Sequence, residues 1–223
     1  MKLNIFQLAS KYNLGLEDDS SGVASTEVEY VYYAKLKDPS ILEKATHVEA
    51  QEQWNFKVAK TDKNAAEGRL RVRKTTIDGK VEYVLTIKTE QKALQATTTQ
   101  INTNTLSASQ NLREVGLEAT EDVFEMFKLM ADQGMIKTRY NLPVEGTDLV
   151  FEVDRFVLPN GEFSEWVKVD LEVKGKLTEL PKLPEAFTDV IYNQKDQQTE
   201  EEKELVWRLY ETVFLTKNTG VSA

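Results

Sequence analysis

Trp166-Val167-Lys168-Val169-Asp170-Leu171-Glu172-Val173 is the stretch from which the fold can be read. Side chains alternate across a strand, so residues two apart share a face. One face here carries Trp166, Lys168, Asp170 and Glu172, and the other carries Val167, Val169, Leu171 and Val173. The same parity holds in Leu149–Phe156, where Leu149, Phe151 and Val153 oppose Glu152 and Asp154. Towards the N-terminus, Glu27, Glu29, Val31, Tyr33 and Lys35 share a face. Arg69, Arg71 and Arg73 oppose Leu70 and Val72, Lys88 lies with Thr86 opposite Leu85 and Ile87, and Lys137 lies with Arg139 opposite Ile136 and Tyr140.

Nearly every strand therefore has one charged and one apolar face. The plain reading is a half-buried sheet with its polar side in water. Two details weigh against it. The charges are sorted by strand, with carboxylate pairs on three strands and basic groups on others. Neighbouring like charges repel, and short acidic residues are poor strand formers. A divalent ion would compensate the carboxylates, and a polyphosphate the Arg/Lys clusters. Closing the sheet turns the charged face into a lumen and removes the sheet edges.

The remaining elements follow from turn and cap signals. Asp78-Gly79 and Asn160-Gly161 are hairpin turns. Strands are expected near 26–37, 53–60, 68–75, 80–89, 96–102, 135–142, 148–158 and 163–174. Helices are expected over 4–14, from Asp38-Pro39-Ser40 to Ala50, from Thr120 to Gly134, and over Thr199–Leu215. The Pro181/Pro184 stretch reads as a connector. The expected fold class is α+β, about eight antiparallel strands with flanking helices; if the sheet closes, it is a closed eight-stranded antiparallel β-tunnel whose apolar outer face those helices cover. Residues 1–24 form an N-terminal helical segment, 25–215 the tunnel domain and 216–223 a tail.

Composition narrows the chemistry. The 223 residues contain no cysteine and one histidine, His47. Disulfides, thiolate zinc sites, cysteine nucleophiles and multi-histidine metal sites are excluded. Any metal must be held by oxygen, which favours Mg²⁺, Mn²⁺ or Ca²⁺. His47 falls on an expected exposed helix, without a functional role. Trp54, Trp166 and Trp207 read as packing residues, and Lys168 as an ion-pair partner of Asp170 or Glu172. A net charge of −9 disfavours nonspecific attraction to nucleic acid or an anionic membrane. Neither a signal peptide nor a transmembrane stretch is legible, so a cytoplasmic location is expected.

The ordered motifs resemble the CYTH domain, the triphosphate tunnel metalloenzyme fold, over about Ser25 to Gly175. Glu27-Val28-Glu29 sits where that family opens with Glu-x-Glu-x-Lys. Leu70-Arg71-Val72-Arg73, Leu85-Thr86-Ile87-Lys88, Lys137-Thr138-Arg139-Tyr140, Phe151-Glu152-Val153-Asp154 and Asp170-Leu171-Glu172 follow in the family's order. Val31 departs from the motif lysine, leaving Lys35 or Lys57 to supply that charge.

The resemblance implies metal-dependent hydrolysis of a triphosphate with Mg²⁺ or Mn²⁺. Glu27, Glu29, Glu152, Asp154, Asp170 and Glu172 are the expected metal-site residues. Lys57, Arg69, Arg71, Arg73, Lys88, Lys137 and Arg139 are expected to bind phosphate. Glu29, Arg73, Lys88 and Arg139 are expected to carry the chemistry. The expected partner is a small triphosphate or nucleotide (inorganic, nucleoside or thiamine triphosphate), with an RNA 5′ end as a further candidate and no membrane. An adenylyl cyclase of the same fold, or a protein that captures a nucleotide or polyphosphate without turnover, are the alternatives.

Overall fold

A computed structural model describes residues 26–58, 68–90, 110–131, 133–173, 177, 179–193 and 198–216. Its strands are β1 (Thr26–Leu36), β2 (His47–Val58), β3 (Gly68–Ile77), β4 (Lys80–Glu90), β5 (Gln110–Glu118), β6 (Gln133–Pro143), β7 (Val150–Val157), β8 (Phe163–Val173), β9 (Phe187–Tyr192) and β10 (Leu215–Thr216). A 3-10 helix spans Pro39–Lys44, and the α-helices are α1 (Glu121–Met130) and α2 (Glu200–Val213). The strands form one antiparallel sheet in the order β10-β6-β2-β3-β4-β5-β1-β8-β7. β9 pairs with β1, and β6 also pairs with β7.

The two expected hairpins are present. Asp78 and Gly79 both take positive φ, 49° and 78°, the backbone a tight two-residue turn requires. At the second turn Leu158 N–H donates to Glu162 O at 2.8 Å, with Gly161 at φ 86°. Both helices begin as their caps dictate. Thr120 accepts from Val123 N–H at 3.4 Å. Thr199 and Glu202 form a reciprocal capping box at 3.2 and 2.8 Å.

Several expectations need correction. Residues 39–50 are not one helix. Asp38 does cap, accepting from Ser40 N–H at 3.0 Å, but only Pro39–Lys44 turn, as a 3-10 helix. From His47 the chain is already β2, laddered to both β3 and β6, and these long-range pairings override the local helix signal. His47 therefore stands opposite Asn141, not on a helix. α1 stops at Met130, and Gly134 belongs to β6. Phe187–Tyr192 after the prolines is a strand, as is Gln110–Glu118. The expected strand 96–102 and the N-terminal helix fall outside the described residues.

Three apolar clusters hold the sheet. Val167, Val169 and Leu171 of β8, Phe151 and Val153 of β7, and Tyr30 and Tyr32 of β1 form the first. The 3-10 helix (Leu42), β9 (Phe187) and the connector (Leu180, Leu183) cover that face, where helices were expected. α1 sets Phe124 against Trp54 and Val72. α2 packs Leu209 and Val213 against Val31, Tyr33, Met135 and Phe156. Those four residues share the charged face of their strands, so α2 covers part of that face and not an apolar one.

Candidate functional site

Opposed residues in an antiparallel ladder share a face, so register traces the charged face across strands. Tyr33 stands opposite Lys168, Lys168 opposite Asp154, and Asp154 opposite Arg139. A second row runs Val31, Asp170, Glu152, Asn141. Glu29 stands opposite Glu172. Beyond β6, Lys137 meets Gln51, which meets Thr75. Gln53 meets Arg73, and Asn55 meets Arg71, which meets Thr86.

The centre of this face is buried, while Glu172 at its edge is exposed. Relative exposure is 0% for Asp154, 4% for Asp170, 5% for Lys137 and 7% for Glu29. Water does not solvate these charges, so they must answer one another. Arg139 Nε donates to Asp154 Oδ1 at 2.7 Å and its Nη2 to Asp154 Oδ2 at 3.0 Å, a two-pronged contact. Its Nη1 donates to Glu152, and its Nη2 lies 3.7 Å from Asp170 Oδ2. Lys137 pairs with Asp154, and Lys168 with Asp170. Three cations thus face three carboxylates.

The pairing is uneven, which the titration of the groups reflects. Burial alone would raise Asp154, but Arg139 and then Lys137 hold it well below the usual carboxylate range. Lys137 has one carboxylate against its own burial and the adjacent Arg139, and is lowered to about 7. Burial would lower Lys168 too, but Asp170 and then Tyr210 outweigh it and hold it above the usual lysine value. Glu152 is pushed up, first by burial.

On the same face Gln51 Oε1, Gln53 Oε1, Arg73 Nε, Thr86 Oγ1, Asn141 Oδ1 and Asp170 Oδ1 are buried without a hydrogen-bond partner. At the α2 end the Tyr33 and Tyr210 hydroxyls lie 2.5 Å apart.

Of the expected site residues, Lys137, Arg139, Glu152, Asp154 and Asp170 are brought into one ion-pair network. Glu29 and Glu172 stand beside it, and Arg71 and Arg73 share the face on β3. Glu27, Lys57, Arg69 and Lys88 are described in backbone only: Glu27 is in register with Leu112, Lys57 with Arg69, and Arg69 with Lys88. Lys35 does not stand in for the charge missing at Val31. It lies 3.2 Å from Asp189 and over the Trp166 ring. Among the described residues no group of three or more His, Asp or Glu is arranged to hold a metal ion. Nor is any described helix long and apolar enough to cross a membrane.

Gln51, Gln53, Asn141 and Tyr210 were not among the expected site residues, whereas Tyr33 was already placed on the charged face. Parity would have placed Gln51, had residues 47–52 been read as strand. Tyr210 sits on a helix, where strand parity says nothing.

No family model matches this sequence, and no curated protein matches it. Among solved structures, the PH1819 protein from Pyrococcus horikoshii OT3 is similar with 21% identity, over 86% of this chain and 94% of that one, at a TM-score of 0.42. HpAC1 from Hippeastrum, described as a putative adenylyl cyclase with a dominant triphosphatase activity, is similar with 11% identity, over 86% of this chain and 92% of that one, at a TM-score of 0.38.

Proposed function

We propose that the sheet closes as an eight-stranded tunnel and that its charged face binds a triphosphate and hydrolyses it with Mg²⁺ or Mn²⁺. The pairing of β6 with β7 supports closure, because it joins the two ends of the run β6-β2-β3-β4-β5-β1-β8-β7. One observation carries the function: a face, buried at its centre, that mixes sorted charges with polar atoms lacking partners. A buried polar group left unsatisfied costs about 1–3 kcal/mol, so several on one face call for a ligand. Arg73, Arg71, Lys137 and Arg139 suit phosphate oxygens, the arginines through their planar fork.

The carboxylates fit a metal shared with substrate better than a metal caged by protein. Asp170 is buried with one oxygen lacking a hydrogen bond, and Glu29 and Glu172 face each other beside it. Mg²⁺ is commonly held by one or two carboxylates together with substrate phosphates. A bound divalent ion would supply Lewis-acid polarisation of the terminal phosphoryl group. The chain's own part is to neutralise phosphate charge with Arg71, Arg73 and Arg139 and hold the phosphates in line. Leu209 and Val213 of α2 close the apolar end of the face.

The test is turnover of tripolyphosphate, ATP, thiamine triphosphate and 5′-triphosphorylated RNA with Mg²⁺ or Mn²⁺, following phosphate, pyrophosphate and cyclic nucleotide. Metal-dependent release of phosphate, lost in Glu29→Ala, is the expected result. Turnover that persists in that variant, or without metal, removes the site assignment. Release of pyrophosphate with cyclic nucleotide would make the chain a cyclase, and binding without turnover a capture protein.

A further inference from the structure

The geometry points to Lys168 as an additional polyanion-binding residue, held by Asp170 until a divalent cation takes that carboxylate. The inference rests on the proposed triphosphate site and adds to it an exchange of partners. Lys168 lies on β8 opposite Tyr33, two residues from Asp170, and its ammonium donates to Asp170 Oδ2. Asp170 is 4% exposed, and its other oxygen, Oδ1, has no hydrogen-bond partner. Opposite Asp170 on β1 stands Val31, which brings no charge, while Lys168 on the strand of Asp170 itself brings one.

An ammonium and a divalent cation compete for one carboxylate. While Lys168 holds Asp170, a metal ion must displace it, and a phosphate must compete with Asp170 for the ammonium. Once a cation occupies Asp170, Lys168 keeps its charge in a partly buried position and needs an anion. Ion and polyanion therefore bind with positive coupling, each removing the other's competitor. The neighbouring Asp154–Arg139 contact is two-pronged and exchanges less readily.

The test measures binding, with two probes used separately. Mn²⁺ is titrated alone and followed by electron paramagnetic resonance. Tripolyphosphate is titrated alone in chelator-treated buffer and followed by calorimetry. Lys168→Met is expected to tighten Mn²⁺ about tenfold and to weaken tripolyphosphate about tenfold, the scale of one charged contact. Asp170→Asn is expected to do the reverse, and Lys168→Arg to restore tripolyphosphate binding. Opposite shifts from one substitution are not what loss of packing produces. If both affinities of Lys168→Met move together, or neither moves, the exchange is overturned. If Lys168→Met does not fold, Asp170→Asn decides, and unchanged tripolyphosphate affinity there overturns it equally. A wild-type chain that binds neither probe overturns the proposed site as well, whereas one that binds both without these shifts overturns the exchange alone.

Discussion

Tyr33 on β1 and Tyr210 on α2 meet hydroxyl to hydroxyl at 2.5 Å, across 177 positions of sequence. Their rings meet edge to face with centroids 5.8 Å apart, and the Tyr210 ring stacks on Phe214 at 5.4 Å. The contact fixes α2 over the charged face, and burial raises the Tyr210 hydroxyl above its usual value. Tyr210→Phe keeps the rings and deletes one hydrogen bond, for a loss of about 1 kcal/mol. Tyr210→Ala also deletes the ring, for a loss of about 3–5 kcal/mol. Thermal unfolding checks the order: about 2–4 °C is expected for the phenylalanine variant and several times that for alanine. Equal losses would mean that the hydroxyl pair, not ring packing, holds the helix.

Lys137 gives the pH dependence. Its ammonium is buried beside Arg139 and is lowered from 10.5 to about 7. Between those values the unfolded chain holds a proton that the folded chain has released. Unfolding then takes up a proton, so stability rises with pH across that window. Below pH 7 both states are protonated and the penalty is fully present. Lys137→Met lacks the group. The wild-type melting temperature should therefore gain on that of the variant as pH climbs from 7 towards 10. A constant difference across the series would count against a lowered lysine. Asp154 keeps Arg139 throughout, so the carboxylate stays paired when Lys137 is neutral.

The strands richest in alternation were legible: β7 and β8 carry Phe151, Val153, Val167, Val169 and Leu171 on one side and charges on the other. Strand parity also put Arg139, Asp154 and Asp170 on the charged faces of their strands, which the register joins into one. The first half of β2 was hidden because the apolar side of its run His47–Gln53 is short and interrupted, with only Val48 and Ala50 before Glu52. Its order comes from β3 and β6, which no local pattern announces. Asp38, Pro39 and Ser40 mark the start of a helix as expected, but it ends at Lys44 as a 3-10 helix and does not run on to Ala50. Pairing between strands within the site was out of reach. Parity puts Lys168 beside Asp170 on one strand, a pairing already legible, while the Arg139–Asp154 and Lys137–Asp154 contacts depend on register across strands.

Gly134 shows the same limit and carries the last prediction. In sequence it reads as a helix terminator, yet it lies in β6 directly opposite Trp54 of β2. A Cβ built there would sit 2.5 Å from the Trp54 ring, with further ring atoms at 2.6 Å. The glycine is therefore required by a close approach of the strand to an indole, not by a turn. Trp54 cannot easily yield. Its Nε1 donates to Glu52 Oε1 at 2.9 Å, and the same oxygen lies 2.7 Å from Lys128 of α1. Moving the ring would disturb the contact between α1 and the sheet, where Phe124 and Val72 pack beside it. Gly134→Ala should destabilise by about 1–3 kcal/mol, the range for overpacking a filled core. Gly134→Ala combined with Trp54→Leu should lose less than the two single changes added together, because the smaller side chain removes the clash. Urea unfolding of the four chains measures the coupling, and strict additivity would place the glycine's role elsewhere.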